Sequence, residues 1–276
     1  MVSIRQAAAA ATAAASALCV SSPATAAPSS MLHERDCVEV TLPRAVDSAE
    51  TRALVPSRYD LTPLVGPNGI VAARLWVYTY TCESITVDGV PAHGADGRST
   101  VSIGAVQVAA RDGEPVDGFA TYVLWYATDD PVAFAHLRAR GWPAERLTAD
   151  TEATLDIGAA GAPSAGTWRV DAPGVAYKLR AVSTEPAPEP VDGGISFFHD
   201  GHRGDLEMAV SNEELATSPA ALQADFRRAG PLPDLLLNPA NAVIPAGVGI
   251  NDDGIYSAPM FIYARGSWTS EVRPAP

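Results

Sequence analysis

The chain has 276 residues, of which 47% are hydrophobic, and 32 acidic against 19 basic side chains give it a formal net charge of -13. That charge repels nucleic acid and anionic membranes at long range, so neither is expected as a partner. No Gly-x-Ser-x-Gly elbow, His-Glu-x-x-His helix, phosphate loop or dinucleotide fingerprint occurs, which removes the commonest secreted hydrolases without excluding an enzyme.

Residues 1–30 have the features of a secretory signal: Arg5 as a positive start, an apolar stretch from Ala7 to Val20, and Ala24-Thr25-Ala26 as a small-residue cleavage motif. The cut is predicted after Ala26, because one residue later it would leave Pro28 just past the cut. There is no twin arginine, and Leu18 before Cys19 is too large for a lipoprotein box, so secretion in soluble form is expected. No later apolar run is long enough to span a bilayer. The expected organisation is therefore a signal peptide over 1–26 and a single domain over 27–276, large enough for a sizeable core. That domain retains Cys37 and Cys82, which in an oxidising compartment are expected to pair, two separate buried thiols being the alternative. Abundant alanine and a solitary lysine suggest a high-GC bacterial genome.

Val38–Leu42 alternates like a short strand, and Asp47-Ser48-Ala49-Glu50 has capping-box spacing for one or two helical turns ending before Pro56. Ile70–Thr81 is a long strand with Ala72, Arg74, Trp76, Tyr78 and Tyr80 on one face. Aromatic rings beside a guanidinium suit an anionic organic ligand in a barrel interior or mouth; the alternative is a half-exposed face with Arg74 in solvent. Gly89–Gly97 reads as a loop, Val101–Ala110 as the next strand, and Asp112-Gly113 as the turn back, which together predict an antiparallel meander.

Phe119–Tyr126 carries apolar and aromatic residues at both parities, as in a strand buried on both faces. Asp129-Asp130-Pro131 supplies a helix start. The helix runs to about Arg140, Gly141 ends it, and Trp142-Pro143 forces an extended exit. Strand, Asp-x-Pro-type turn, short helix and aromatic-Pro resemble the acetoacetate decarboxylase family. Ala53–Leu61 is similar to the family's hydrophobic-Pro approach to the barrel. The resemblance implies a β-rich α+β fold, a largely antiparallel β-barrel or double sheet with a few short helices. It also implies a lysine pair directly after the aromatic-Pro, where one amine forms a Schiff base with a β-keto acid. This chain has Ala144-Glu145-Arg146 there. The family's catalytic Glu, in the loop between the strands matching Ile70–Thr81 and Val101–Ala110, has Glu83 as its nearest counterpart.

Further on, Ala153–Ile157, Thr167–Val170 and Val175–Val182 are strand candidates, and the last contains Lys178, the solitary lysine. Ala176-Tyr177-Lys178 is similar to a Gly-Tyr-Lys in the family, so Lys178 is the candidate for a relocated amine, against a plain solvated strand position. The acidic Pro-rich stretch 185–194 reads as a linker between sub-sheets, and Ile195–Phe198 with Leu206–Val210 as a hairpin. Its tip, His199-Asp200-Gly201-His202-Arg203-Gly204-Asp205, is expected in solvent, since two histidines without a third ligand are weak grounds for a metal. A helix is predicted from Ser218-Pro219 to about Arg228, and closing strands at Leu235–Leu237 and Ile255–Ala264. Asn251–Gly254 is a turn lacking calcium-loop spacing.

The leading functional expectation is a secreted, non-catalytic barrel that binds a small organic molecule, an anion among the candidates. Arg74, Trp76, Tyr78, Tyr122 and Trp125 would line the site. It needs no cofactor and no metal. The alternatives are a lyase or decarboxylase using Lys178 as its Schiff-base amine, and an extracellular interaction protein.

Overall fold

The computed structural model describes residues 29–65, 71–94, 97–156, 165–183, 189–190, 194–201, 204–212, 216–227, 249–250, 256–257 and 261–275. The first half holds β1 (Ser30–Asp47), α1 (Ser48–Leu54), β2 (Tyr59–Leu61), β3 (Leu64–Val65), β4 (Val71–Val87), β5 (Val90–Ala92), β6 (Ser99–Arg111) and β7 (Glu114–Thr128). Then come α2 (Pro131–Arg140), β8 (Ala144–Arg146), β9 (Glu152–Asp156), β10 (Ala165–Ala172), β11 (Val175–Ser183) and β12 (Glu189–Pro190). The chain closes with β13 (Gly194–Gly201), β14 (Gly204–Asn212), β15 (Ala216–Arg227), β16 (Gly249–Ile250), β17 (Tyr256–Ser257) and β18 (Phe261–Pro274).

Seven strands close a barrel in the order β1-β4-β6-β7-β13-β14-β18, with β18 pairing back onto β1. Only β7 and β13 run parallel among these seven pairings. β18 is long enough to serve two partners on its other edge. Its residues Trp268–Pro274 pair with β14, and Phe261–Arg265 pair with β15. From β15 a second layer continues through β11, β10 and β9.

Two cores follow from this forked sheet. Inside the barrel pack Trp76, Tyr78, Tyr80, Ile103, Val123, Tyr126, Phe197, Met208 and Trp268. Between the barrel's outer face and the second layer pack Val40, Leu75, Val77, Val106, Tyr122 and Trp125 against Trp168, Val170, Tyr177 and Leu179. Both faces of β4 are therefore buried, which is why Thr79 and Thr81 need partners from the second layer. Tyr177 Oη lies 2.8 Å from Thr79 Oγ1 and also meets Ser102 Oγ, and Trp168 Nε1 donates to Thr81 Oγ1 at 3.2 Å.

The local signals hold where short-range chemistry decides. Asp47 accepts from the Ala49 and Glu50 amides to start α1, and Asp130 does the same for Val132 and Ala133 at α2. Gly141 ends α2 with φ 95°, a value that favours glycine. Asp112 and Gly113, at φ 51° and 82°, turn β6 into β7 as their sequence predicts. Cys37 and Cys82 face each other across β1 and β4 and are joined as a disulfide.

Three expectations are corrected. The predicted helix from Ser218-Pro219 is the strand β15, paired over Ala220–Arg227 with β11 and over Ala216–Ala220 with β18. Its alanine content favours a helix, but a helix there would leave two long strand edges unpaired, and the backbone pairing prevails. The Gly89–Gly97 loop contains β5, which folds back on the end of β4. In Phe119–Tyr126 the simple alternation breaks, because a β-bulge opposite Gly104 and Ala105 turns Trp125 to the same side as Tyr122. The Pro-rich stretch does lead from β11 to β13, and its Glu189 and Pro190 pair with β15. The leader, Asn251–Gly254 and Leu235–Leu237 lie outside the described residues.

Candidate functional site

The inner face of β4 sets the site, since the period of two sends Arg74, Trp76, Tyr78 and Tyr80 inward one after another. Tyr80 stands at the end closed by α2, whose Ala133 and Leu137, with Trp142, join the interior core. Toward the other end, Trp76 meets Phe119 edge-on at 5.2 Å and donates through Nε1 to Gln107 at 3.4 Å. Arg74 lies beyond it, its guanidinium 5.6 Å from the Trp76 ring.

Beside β4, its neighbour β1 contributes two carboxyl groups to the same interior. Glu34 and Glu39 are five residues apart, so a strictly alternating strand would send them to opposite faces. The bulge on β1 between Glu34 and Cys37, with Asp36 at φ 50°, resets the alternation and turns both inward. Glu34 is fully enclosed and accepts from Tyr80 Oη at 2.8 Å and Ser270 Oγ at 3.1 Å. Burial nevertheless pushes its carboxyl up to about 7, outweighing those hydrogen bonds. Glu39 accepts from Thr41 Oγ1 at 2.5 Å. Burial pushes Glu39 up to about 7 as well, with repulsion from Glu34 in the same direction.

Glu39 keeps some exposed surface because it borders a cavity of about 50 Å³ inside the barrel. The wall is largely apolar, from Ile103, Ile195, Phe197, Met208, Val210 and Trp268, with Tyr78, Tyr80 and Ser270 completing it. The space admits a molecule of a few heavy atoms. Tyr78 lines this wall, and its hydroxyl is buried without a hydrogen-bond partner among the described residues. Thr121 Oγ1 and Trp142 Nε1 are likewise buried and unpartnered elsewhere in the molecule.

The five residues expected to line one site divide between two faces. Arg74, Trp76 and Tyr78 belong to the barrel interior, and of these Tyr78 borders the cavity. Tyr122 and Trp125 are packed between the layers: Tyr122 lies 4.9 Å from the Tyr59 ring, and Trp125 Nε1 donates to Glu145 at 3.1 Å. Lys178 stands exposed on β11, because its neighbours Tyr177 and Leu179 fill the interlayer core and alternation turns it outward. Ala144 is buried in the barrel core, while Glu145 turns away to hold Trp125 and the Gly174 amide. Glu83 is exposed and pairs with Arg98 at 3.0 Å, outside the barrel.

The hairpin tip is also corrected. Asp200 and Asp205 are tied by Arg58, and Arg111 adds a 3.0 Å contact to Asp205. Arg58 holds the Asp205 carboxyl below its usual range. Tyr59 Oη donates to Asp200 at 3.3 Å. Of the tip residues, His202 and Arg203 are outside the described residues. Among the described residues no group of three or more His, Cys, Asp or Glu side chains is arranged to hold a metal ion.

A closed seven-strand barrel with one helix across its end and a second layer of the same sheet on its flank defines the class, a barrel whose interior holds the candidate site. It is the acetoacetate decarboxylase-like fold. The chain is similar to an acetoacetate decarboxylase-like enzyme from Sphingomonas wittichii RW1, at 10% identity and TM-score 0.52, covering 90% of this chain and 91% of that one. It is also similar to acetoacetate decarboxylase from Legionella pneumophila, at 12% identity and TM-score 0.50 over 92% and 91% of the two chains. A further acetoacetate decarboxylase structure gives 12% identity and TM-score 0.51 over 88% and 86%. No protein-family model matches the chain, and no curated protein matches it. At these identities the likeness establishes the fold and nothing finer.

Proposed function

We propose that this chain is a secreted, non-catalytic β-barrel protein that binds a small organic molecule inside the barrel. The observation that carries the reading is a mostly apolar cavity lined by Glu39 and by Tyr78, whose buried hydroxyl has no partner among the described residues. Leaving such a group unpaired costs about 1–3 kcal/mol, and a bound molecule with a polar atom removes that cost. An apolar enclosure with one or two polar anchors is how small-molecule sites are generally built. The leader sequence and the Cys37–Cys82 disulfide support secretion.

The absence of catalysis rests on the amines. The interior carries the Ala144 methyl at the position that the family resemblance reserves for a reactive lysine, and Lys178 is exposed on an outer strand. The test is native mass spectrometry of the secreted protein, followed by thermal-shift measurement across a broad panel of small metabolites. A co-purified mass, or a melting temperature raised by several degrees near 100 times Kd, is the expected result. Neither a retained mass nor any stabilisation across the panel would overturn the reading.

A further inference from the structure

Resting on the reading of the interior as a binding cavity, we infer that its ligand is a small primary amine. It binds as the ammonium ion, with Glu39 as counter-ion and the Tyr78 hydroxyl as a second acceptor. Two independent features point there. Among the described residues Glu39 is the one carboxyl-bearing side chain that lines the cavity, and Tyr78 of the same lining carries a buried hydroxyl without a partner.

The described groups that line the cavity with Glu39, or interact with it, come from six strands. They are Glu34 and Thr41 on β1, Tyr78 and Tyr80 on β4, Ile103 on β6, Ile195 and Phe197 on β13, Met208 and Val210 on β14, and Trp268 and Ser270 on β18. None of these is a cation. Arg74 shares the inner face of β4 but stacks on Trp76 and does not border the cavity. A carboxylate in such surroundings either takes up a proton or is neutralised by a cation from outside. An ammonium group brings three donors, enough for Glu39 and Tyr78 together. The faces of Tyr78, Phe197 and Trp268 favour positive charge, while the apolar wall accepts a short alkyl chain. A carboxylate ligand would meet Glu39 and the same ring faces with no cation to offset them.

The experiment is titration calorimetry with three isosteric probes, propylammonium, 1-propanol and propionate, at pH 7.5 and constant ionic strength. Propylammonium is expected to bind at least about tenfold more tightly than 1-propanol, with propionate the weakest, a tenfold ratio being 1.4 kcal/mol. Its affinity should rise severalfold from pH 6 to pH 8 as Glu39 gives up its proton, whereas 1-propanol should not respond. Glu39→Gln should collapse the amine-over-alcohol ratio toward one. Tyr78→Phe, which keeps the ring, should reduce amine affinity severalfold and provides a second check should the Gln variant fail to fold. If 1-propanol or propionate binds as well as the amine, the inference is overturned and the binding cavity stands. If none of the three binds while another metabolite stabilises the protein, the inference is likewise overturned. If nothing at all binds, the proposed function falls with it.

Discussion

The Tyr80 hydroxyl donates a 2.8 Å hydrogen bond to the Glu34 carboxyl inside the barrel, joining β4 to the neighbouring strand β1 where α2 closes the end. It is a polar contact in a largely apolar interior, and burial outweighs it to leave Glu34 with a proton affinity far above that of an ordinary glutamate.

That relationship makes stability depend on pH in an unusual direction. Glu34 and Glu39 rise from 4.5 to about 7 on folding, so between those values the folded chain holds protons that the unfolded chain has lost. Their stabilisation is complete below about 4.5 and is lost as pH rises through about 7. One such carboxyl accounts for roughly 3 kcal/mol when fully ionised. Asp88 and Asp205 are lowered on folding and act in the opposite sense, their contribution being lost as pH falls below the ordinary 3.8. Urea midpoints should therefore peak at mildly acidic pH and decline toward pH 8, and Glu34→Gln should flatten the decline. A midpoint that holds steady or rises from pH 5 to pH 8 would contradict the buried-carboxyl account.

Arg58 is the hub of the hairpin-tip network, meeting both Asp200 and Asp205 with about a quarter of its side chain exposed, 26%. Arg58→Ala should cost about 1–2 kcal/mol at pH 7, since among the described residues it leaves Arg111 as the cation in contact with Asp205. The loss should be smaller at pH 3, where protonation begins to compete with Arg58 for the lowered Asp205 carboxyl. Paired urea melts at the two pH values decide it, and an equal loss at both would assign the effect to packing.

The Cys37–Cys82 disulfide spans 45 residues of sequence. By loop entropy it contributes roughly 4 kcal/mol. Replacing both cysteines by alanine should lower stability by an amount of that order, and reducing agent should have no further effect on the double variant. Equilibrium unfolding of both proteins with and without reductant measures this directly.

Lys178 should react in the native protein with an amine-labelling reagent at the rate of a lysine in a short peptide, because it is exposed on β11. Borohydride in the presence of acetoacetate should trap no adduct on it beyond the level seen with an unrelated surface lysine. A specific adduct at Lys178 would restore the Schiff-base reading that the exposed position disfavours.

Much of the fold was legible because it is written in local chemistry. Asp47, Asp130 and Gly141 mark helix ends through hydrogen bonds and backbone angles reached within a few residues. The β4 alternation likewise assigned Arg74, Trp76 and Tyr78 to one face. The candidate site was less legible. Glu39 and Thr41, between Val38, Val40 and Leu42, look like the solvent side of a half-buried strand, and nothing local says that the far side is a barrel interior.

What the sequence by itself determined is the set of strands and caps and a likeness to one fold, since alternation, capping and turn residues act over a few positions. Tertiary structure decided the rest. The β1 bulge turned Glu34 and Glu39 to the same side, and the bulge opposite Gly104 and Ala105 sent Trp125 out of the barrel with Tyr122. Pairing with β11 and β18 made a strand of Ala216–Arg227, and the second layer left Lys178 outside. In each case the deciding free energy comes from backbone pairing and burial between segments distant in sequence, which no short window contains.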